Sequence, residues 1–313
     1  MNDLYLAPME EITGYVYRNV LAMCFGGVDK YYTPFVTPNQ NKIMKTKDGR
    51  ELAIEHNKDK SVVIQMLTND GDHFNDLAAF INELGYGEIN LNCGCPSNTV
   101  VKKNKGSGIL KDLDRLDRLL DQIFNGSKSV LRANPKMKIS VKTRLGMIDD
   151  DEFMDVLKVY NRYPLSELII HGRVQKDFYK GLSRLEPVKY AKETTNIPIV
   201  YNGDIFTLDD YRRVVEALGD IPIMIGRGAI RNPGLFRQIK TGREATKREV
   251  REFITKLYDT YAIEYSQVDA MCKLKEVWVY LSTMFDGIDE QLKWLRKAKE
   301  PAEYKAAVNA MPW

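Results

Sequence analysis

Only four of the 313 residues are cysteine and three are histidine, and those scarcities exclude two classes of protein at once. Cys24, Cys93, Cys95 and Cys272 are too few for a disulfide scaffold in so long a chain, so the thiols are expected free in a reducing compartment. Cys93 and Cys95 have no second cysteine pair or histidine cluster at ligand spacing, the histidines being His56, His73 and His171, so no metal site is expected. No apolar run approaches the roughly 18 residues that suggest a membrane span. Met1-Asn2-Asp3 leads into a short strand rather than a charged and apolar signal segment, which makes a cytoplasmic location the default expectation. A large charge of one sign is also missing. The formal net charge is +3, too mild by itself to announce nucleic acid. Nor does a Gly-x-Gly-x-x-Gly open a helix after a strand, so no Rossmann dinucleotide domain is expected.

What is present is 44% hydrophobic residues, enough for a large core, arranged as alternating strands and helices. Strand patterns fall at 4–7, 30–36, 62–66, 138–142, 167–170, 197–201 and 221–225, with one more opening at Glu88 on Ile89 and Leu91 and running to the cysteines. Helical spacing between them is clearest at Leu113, Leu116, Leu119, Leu120 and Ile123. Thr13 is the expected N-cap of a helix running to Cys24. The polar stretch 37–60 reads as an unusually long loop. Eight such strands predict a (β/α)8 TIM barrel over residues 1–243. From Lys247 onward only helical patterns remain, which predicts a small C-terminal all-helical domain over residues 244–313, with Lys273, Lys275, Trp278 and Tyr280 as a mixed basic and aromatic surface.

In such barrels chemistry sits at the C-terminal strand ends, and several ends here are polar. The stretch 88–110, EINLNCGCPSNTVVKKNKGSGIL, passes from a buried strand through Cys95-Pro96 into a loop of lysines and glycines. A neutral thiol there is a competent general acid for protonating a carbon next to one that receives hydride, the alternative being a buried small hydrophobe. Cys93, two positions back, is expected on the same face but deeper. Lys142 ends an apolar strand and needs an anion or acceptor, which a reduced flavin would supply, unless it snorkels to solvent. Gln65 suits either a planar heterocycle or a hydrogen bond across the barrel mouth, and His171 either a flavin or pyrimidine carbonyl or a structural contact. Asn202-Gly203-Asp204 and Gly226-Arg227-Gly228, at the last two strand ends, together suggest a phosphate site. Three predicted loops are basic: Lys42, Lys45, Lys47 and Arg50; Lys102, Lys103 and Lys105; Arg173, Lys176 and Lys180. Each alone reads as solvated charge, but on one face they form a rim for a polyanion.

The run Asn92, Gly94, Cys95, Pro96, Val100, Lys102, Lys103, Gly106 and Gly108 resembles the signature of the tRNA-dihydrouridine synthases. Ala7-Pro8-Met9 resembles that family's first flavin-contacting motif, and Val141 to Gly146, Ile170 to Tyr179 and the two glycine motifs match in order. The resemblance implies an FMN-binding barrel with a helical domain that helps hold tRNA, and NADPH as a transient reductant. It implies Pro8, Met9, Glu10, Gln65, Lys142, His171, Asn202, Gly203, Asp204, Gly226 and Arg227 at the cofactor. It further implies Cys95 as the acid that protonates C5 of a uracil, with Asn92, Arg144 and Arg173 at the substrate. Glu10 and Glu11 depart from the small residues more usual in the first motif. No protein partner is implied, and a monomer is expected. The competing expectations are an FMN barrel acting on a free pyrimidine, in the manner of dihydroorotate dehydrogenase, and an RNA-binding protein without catalysis.

Overall fold

The computed structural model describes residues 2–38 and 46–313. Strands β1 (Leu4–Leu6), β2 (Lys30–Tyr32), β3 (Val62–Met66), β4 (Glu88–Cys93), β5 (Lys138–Arg144), β6 (Leu168–His171), β7 (Ile199–Asn202) and β8 (Ile223–Ile225) close into a parallel barrel in sequence order. The expected fold class is therefore borne out. Successive side chains of a strand point to opposite faces, and that alternation sorts the residues into two environments. Along β4, Ile89, Leu91 and Cys93 join the core between barrel and helices, whereas Asn90 and Asn92 bond across to neighbouring strands inside the barrel. A second apolar cluster of Tyr5, Tyr32, Val63, Ile169, Val200 and Met224 fills the barrel interior.

The barrel floor is polar. Lys30 Nζ contacts Glu88 at 3.1 Å and Glu167 at 3.0 Å, and the hydroxyls of Tyr5 and Tyr32 donate to Glu167. Burial is tolerable for this charge because it is paired and hydrogen-bonded.

Several boundaries differ from the sequence reading. Thr13 does not cap the first helix, which runs Tyr15–Cys24; its hydroxyl accepts from Met9 N at 2.7 Å and so tightens the turn after β1. The expected long loop holds two short helices, Thr46–Leu52 and Ile54–Asn57. Fully buried Arg18 fastens them to the first helix by donating to Glu51 and to Asn57 Oδ1. Lys42 and Lys45 lie outside the described residues. Strand β5 extends through Arg144, so Lys142 and Arg144 both point inward from one strand.

After β8 only helices follow among the described residues, among them Lys247–Glu264, Gln267–Leu281, Asp289–Lys297 and Pro301–Asn309. The sequence boundary at Arg243 falls between helices Leu235–Thr241 and Lys247–Glu264. Packing runs straight across it. Phe253 meets the Tyr17 ring edge-on at 5.7 Å and Phe25 at 5.7 Å, within one continuous core. Trp278, expected on a surface, is 1% exposed and donates Nε1 to Tyr304 Oη at 3.2 Å, because apolar helix faces turn inward when no sheet covers them. No described helix is long and apolar enough to cross a membrane.

Candidate active site

Parallel strands present all their C-terminal ends on one face, and here that face holds a cavity of about 410 Å³. Its walls include Pro8, Met9, Glu10, Gln65, Asn92, Cys95, Lys142, Arg144 and His171. A smaller cavity of about 70 Å³ adjoins it through Pro8, Met9, Lys142 and His171, and adds Asn202, Gly203, Asp204, Gly226 and Arg227. Registers align Asn92 with Lys142, Arg144 with His171, and His171 with Asn202, so the inward residues form the top layer of the barrel.

Cys95 stands just beyond β4, where the strand bends. Asn92 Oδ1 accepts from Gly94 N at 3.0 Å and Cys95 N at 2.9 Å, a local turn that competes with the strand ladder. The turn breaks the two-residue alternation, so Cys93 and Cys95 do not share a face: Cys93 points out against Tyr160 and its thiol is pushed up to about 12 by burial, while Cys95 lines the cavity. The loop then returns. Ser107 N and Oγ both donate to the Cys95 carbonyl, at 3.0 and 2.9 Å. Gly106, at φ 56°, lies so close that a Cβ would sit 2.7 Å from Cys95 O. Burial raises the Cys95 thiol pKa, with Glu10 adding to it; a Ser97 N–H, Arg144 and Lys142 act against that rise. The group is a protonated thiol at neutral pH.

An amide chain crosses the barrel to the same turn. Asn90 Nδ2 donates to Ser140 Oγ at 3.0 Å, Gln65 Nε2 to Asn90 Oδ1 at 2.8 Å, and Asn92 Nδ2 to Gln65 Oε1 at 2.8 Å. Ser140 in turn donates to Glu88 on the floor. Each amide orientation is fixed by the next, so the chain dictates that Asn92 offers its oxygen to the cysteine loop.

Lys142 is pushed down to about 7 by burial, then by Arg144. Among the described residues no hydrogen bond or ion pair engages its ammonium. His171 is lowered well below the usual imidazole range by burial and by Arg144, Lys142, Arg173 and Arg227, so it is neutral. Arg144 is 1% exposed and donates to Gly94 O at 3.0 Å, Val174 O at 2.8 Å and Phe178 O at 2.8 Å, which commits three of its five N–H groups.

Arg173 is not at the cavity. It is fully buried, donates to Lys180 O and Gly181 O, and pairs with Asp204. Asp204 also binds Arg227, so it bridges two arginines, whose charges hold its carboxyl below the usual range. Asn202 spends Nδ2 on Met224 O at 2.9 Å. Gly226 lines the smaller cavity, where a Cβ would sit 3.3 Å from Ala7 Cβ, and bare backbone forms part of the wall.

Phe35, Tyr179 and Glu276, to which the sequence gave no role, also line the larger cavity, as does Tyr280, expected on a basic and aromatic surface. Tyr179 is 52% exposed, with the guanidinium carbons of Arg227 and Arg144 at 4.6 and 5.5 Å from its ring centre. Phe178, at φ 49°, sets its direction. The signal available was an aromatic pair on the loop after a polar strand end. Lys102 and Lys103 after β4, and Lys176 and Lys180 after β6, are exposed on the same barrel face.

The family model described as dihydrouridine synthase (Dus) matches residues 5–311. Among similar curated proteins, the tRNA-dihydrouridine(16) synthase of Pseudomonas syringae pv. tomato is 30% identical over 294 residues, covering 90% of each chain. The probable tRNA-dihydrouridine synthase of Rickettsia typhi is 27% identical, covering 99% of this chain and 90% of its own. In fold, a morphinone reductase structure in complex with tetrahydroNAD has a TM-score of 0.52 at 10% identity, covering 79% of this chain and 90% of its own. A Rhizobium histamine dehydrogenase structure has a TM-score of 0.58 at 14% identity, covering 82% and 48%. These two likenesses concern the barrel architecture.

Proposed function

Because this chain belongs to the dihydrouridine synthase family, we propose that it is a flavin-dependent tRNA-dihydrouridine synthase, an oxidoreductase that saturates the C5–C6 bond of a uridine in tRNA. The observation that carries the reading is Cys95: a neutral thiol at the mouth of a barrel, on the wall opposite the glycine motifs, clamped by Asn92, Ser107 and Gly106.

The residues present fit FMN. Lys142 offers an ammonium to both cavities, and an electron-rich ring edge is the partner that a half-desolvated cation lacks. Gly226 leaves backbone open beside Arg227, which suits a phosphate group, whereas Gly203 is a glycine because Tyr201 and Ser183 pack where its Cβ would lie. Met9, Gln65 and Asn202 wall the space between. When bound, FMN supplies the hydride that C6 of the uracil accepts, with NADPH as the reductant.

Cys95 delivers the proton. Its S–H bond breaks as a C–H bond forms at C5, leaving a thiolate whose charge Lys142 and Arg144 offset. Arg144, with two N–H groups uncommitted, suits the carbonyl edge of the base, and His171, held neutral, donates or accepts without adding charge. Asn92 acts through the cysteine loop: both ends of its amide are engaged by protein, so its part is positioning. Arg173 likewise acts through Asp204 and Arg227 rather than on substrate.

A uracil in folded RNA must be extruded to reach this cavity, at about a few kcal/mol of lost stacking. Lys102, Lys103, Lys176 and Lys180 supply phosphate contacts around the mouth, and residues 244–313 serve as the RNA-recognition domain, lending Glu276 and Tyr280 to the cavity wall. The protein acts as a cytoplasmic monomer. Mapping dihydrouridine in total RNA from cells with and without the gene tests the proposal. Loss of dihydrouridine at defined tRNA positions is expected; an unchanged map contradicts it, and loss only in a free pyrimidine pool favours the dihydroorotate-type alternative.

A further inference from the structure

We propose that Glu88, on the barrel floor, is a positioning residue for the acid thiol: its carboxylate fixes the sense of the amide chain that ends on the Cys95 turn. The role of the thiol rests on the dihydrouridine synthase reading.

A carboxamide has a donor end and an acceptor end, so a chain of them has a direction. Here every donor faces the floor. Cys95 N and Gly94 N donate to Asn92, Asn92 to Gln65, Gln65 to Asn90, Asn90 to Ser140 Oγ, and Ser140 to Glu88 Oε1 at 3.1 Å. Gln65, Asn90 and Ser140 are 0% exposed, so bulk water does not replace a lost partner. The two ends agree, because a backbone N–H only donates and a carboxylate only accepts. Aligned dipoles closed by a negative charge polarise one another, which makes Asn92 Oδ1 a stronger acceptor at the turn.

The other oxygen of Glu88 is committed as well. Its Oε2 pairs with Lys30 Nζ at 3.1 Å, and Lys30 is shared with Glu167, which also takes the hydroxyls of Tyr5 and Tyr32. Burial raises the Glu88 pKa, Lys30 opposes that, Glu167 adds to it and the Ser140 hydroxyl opposes it again, and at neutral pH the group is ionised. Glu88→Gln therefore sets the two ends of the chain against each other. The new amide oxygen goes to the ammonium, the stronger donor, and the amide nitrogen turns on Ser140 Oγ. The other acceptor within reach of Ser140, Ile89 O, is 3.4 Å away, a long contact for a hydroxyl. Ser140 then donates to Asn90, and the reversal runs up to Asn92, whose Nδ2 meets the Cys95 N–H donor to donor.

The test compares Glu88→Gln and Ser140→Ala with the parent holoenzyme. Ser140→Ala cuts the chain and leaves the floor ion pairs in place. Flavin reduction by NADPH, followed anaerobically by bleaching, does not use the thiol and should stay within about twofold of the parent. The kcat for dihydrouridine formation on unmodified tRNA should fall about tenfold, the effect of one mispaired buried hydrogen bond, with KM for the tRNA unchanged. Alkylation of Cys95 by iodoacetamide, read by peptide mass spectrometry against exposed Cys272 in the same sample, should rise severalfold as the turn loosens. Parent-like kcat or an unchanged alkylation ratio in either variant, or equal slowing of flavin reduction and dihydrouridine formation, overturns the inference; Ser140→Ala decides it where Glu88→Gln fails to fold. A parent protein that makes no dihydrouridine overturns the functional reading instead, and the alkylation ratio then decides by itself whether the floor governs the turn.

Discussion

At Cys95 two influences oppose each other: burial and Glu10 hold the proton on, while Lys142 and Arg144 make the thiolate left behind tolerable. A general acid needs both. Cys95→Ala is expected to keep its bound flavin and to lose about 100-fold or more of dihydrouridine formation, since positioned acids contribute about that much; parent-like turnover would remove the thiol from the chemistry. Lys142 gives a pH prediction of definite sign. Free, it titrates near about 7, and an electron-rich partner raises that value. Its contribution to binding is therefore complete below about 7 and is lost as pH rises through the bound-state value. Flavin affinity, followed by fluorescence quenching, should decline on the alkaline side in the parent and stay flat in Lys142→Met. The positions of Cys95, Lys142, Gln65 and His171 were legible because a polar residue ending an apolar strand has few places to go. Arg173 was not. An arginine that meets a ligand and one that ties an aspartate to loop carbonyls look the same until partners are known, and besides His171 two positions back its partners lie 7 to 31 positions away.

The segment after β4 behaves as a unit. Its Gly-x-Gly spacing is explained by two close approaches, Gly106 to Cys95 and Gly108 to Val101, where an added Cβ would lie 2.6 Å from the carbonyl oxygen. Gly106→Ala adds a methyl at a positive φ against backbone, and should lower both stability, by about 1–3 kcal/mol, and turnover; a variant equal to the parent in both melting and rate would show that the loop is not clamped. The amide chain makes a second prediction at this scale. Asn90→Ala deprives Gln65 of its acceptor inside the barrel, at a cost of about 1–3 kcal/mol, and should slow turnover through the loosened Asn92 turn although Asn90 is two positions short of the cavity wall. Strands and long amphipathic helices were readable from their periods. The short helices at 46–57 were not, because one or two turns carry too little period and their stability comes from Arg18, a buried arginine on a distant helix.

The whole molecule is a barrel whose top is finished by helices from the far end of the chain. The change of pattern near Arg243 marks where strands cease, yet the core does not stop there: Phe253 covers Tyr17 and Phe25, Lys273 reaches Glu11, and Tyr280 walls the cavity. Composition could not show this, since a helix that packs on a barrel and one that packs on its own neighbours share the same apolar stripe. Ending the chain at Arg243 would uncover those aromatics, so the truncated barrel should fail to melt cooperatively, and the intact protein should unfold in one transition; two separate transitions would show independent domains. The central claim, that this barrel joins a flavin to a thiol acid across a uracil, is tested most directly by reconstitution. Purified protein, FMN and NADPH are incubated with tRNA lacking modifications, and the RNA is digested and examined by mass spectrometry. A gain of two hydrogens on one uridine with the parent protein and its loss with Cys95→Ala is the predicted result; a protein that takes up no flavin and leaves every uridine unchanged contradicts the account.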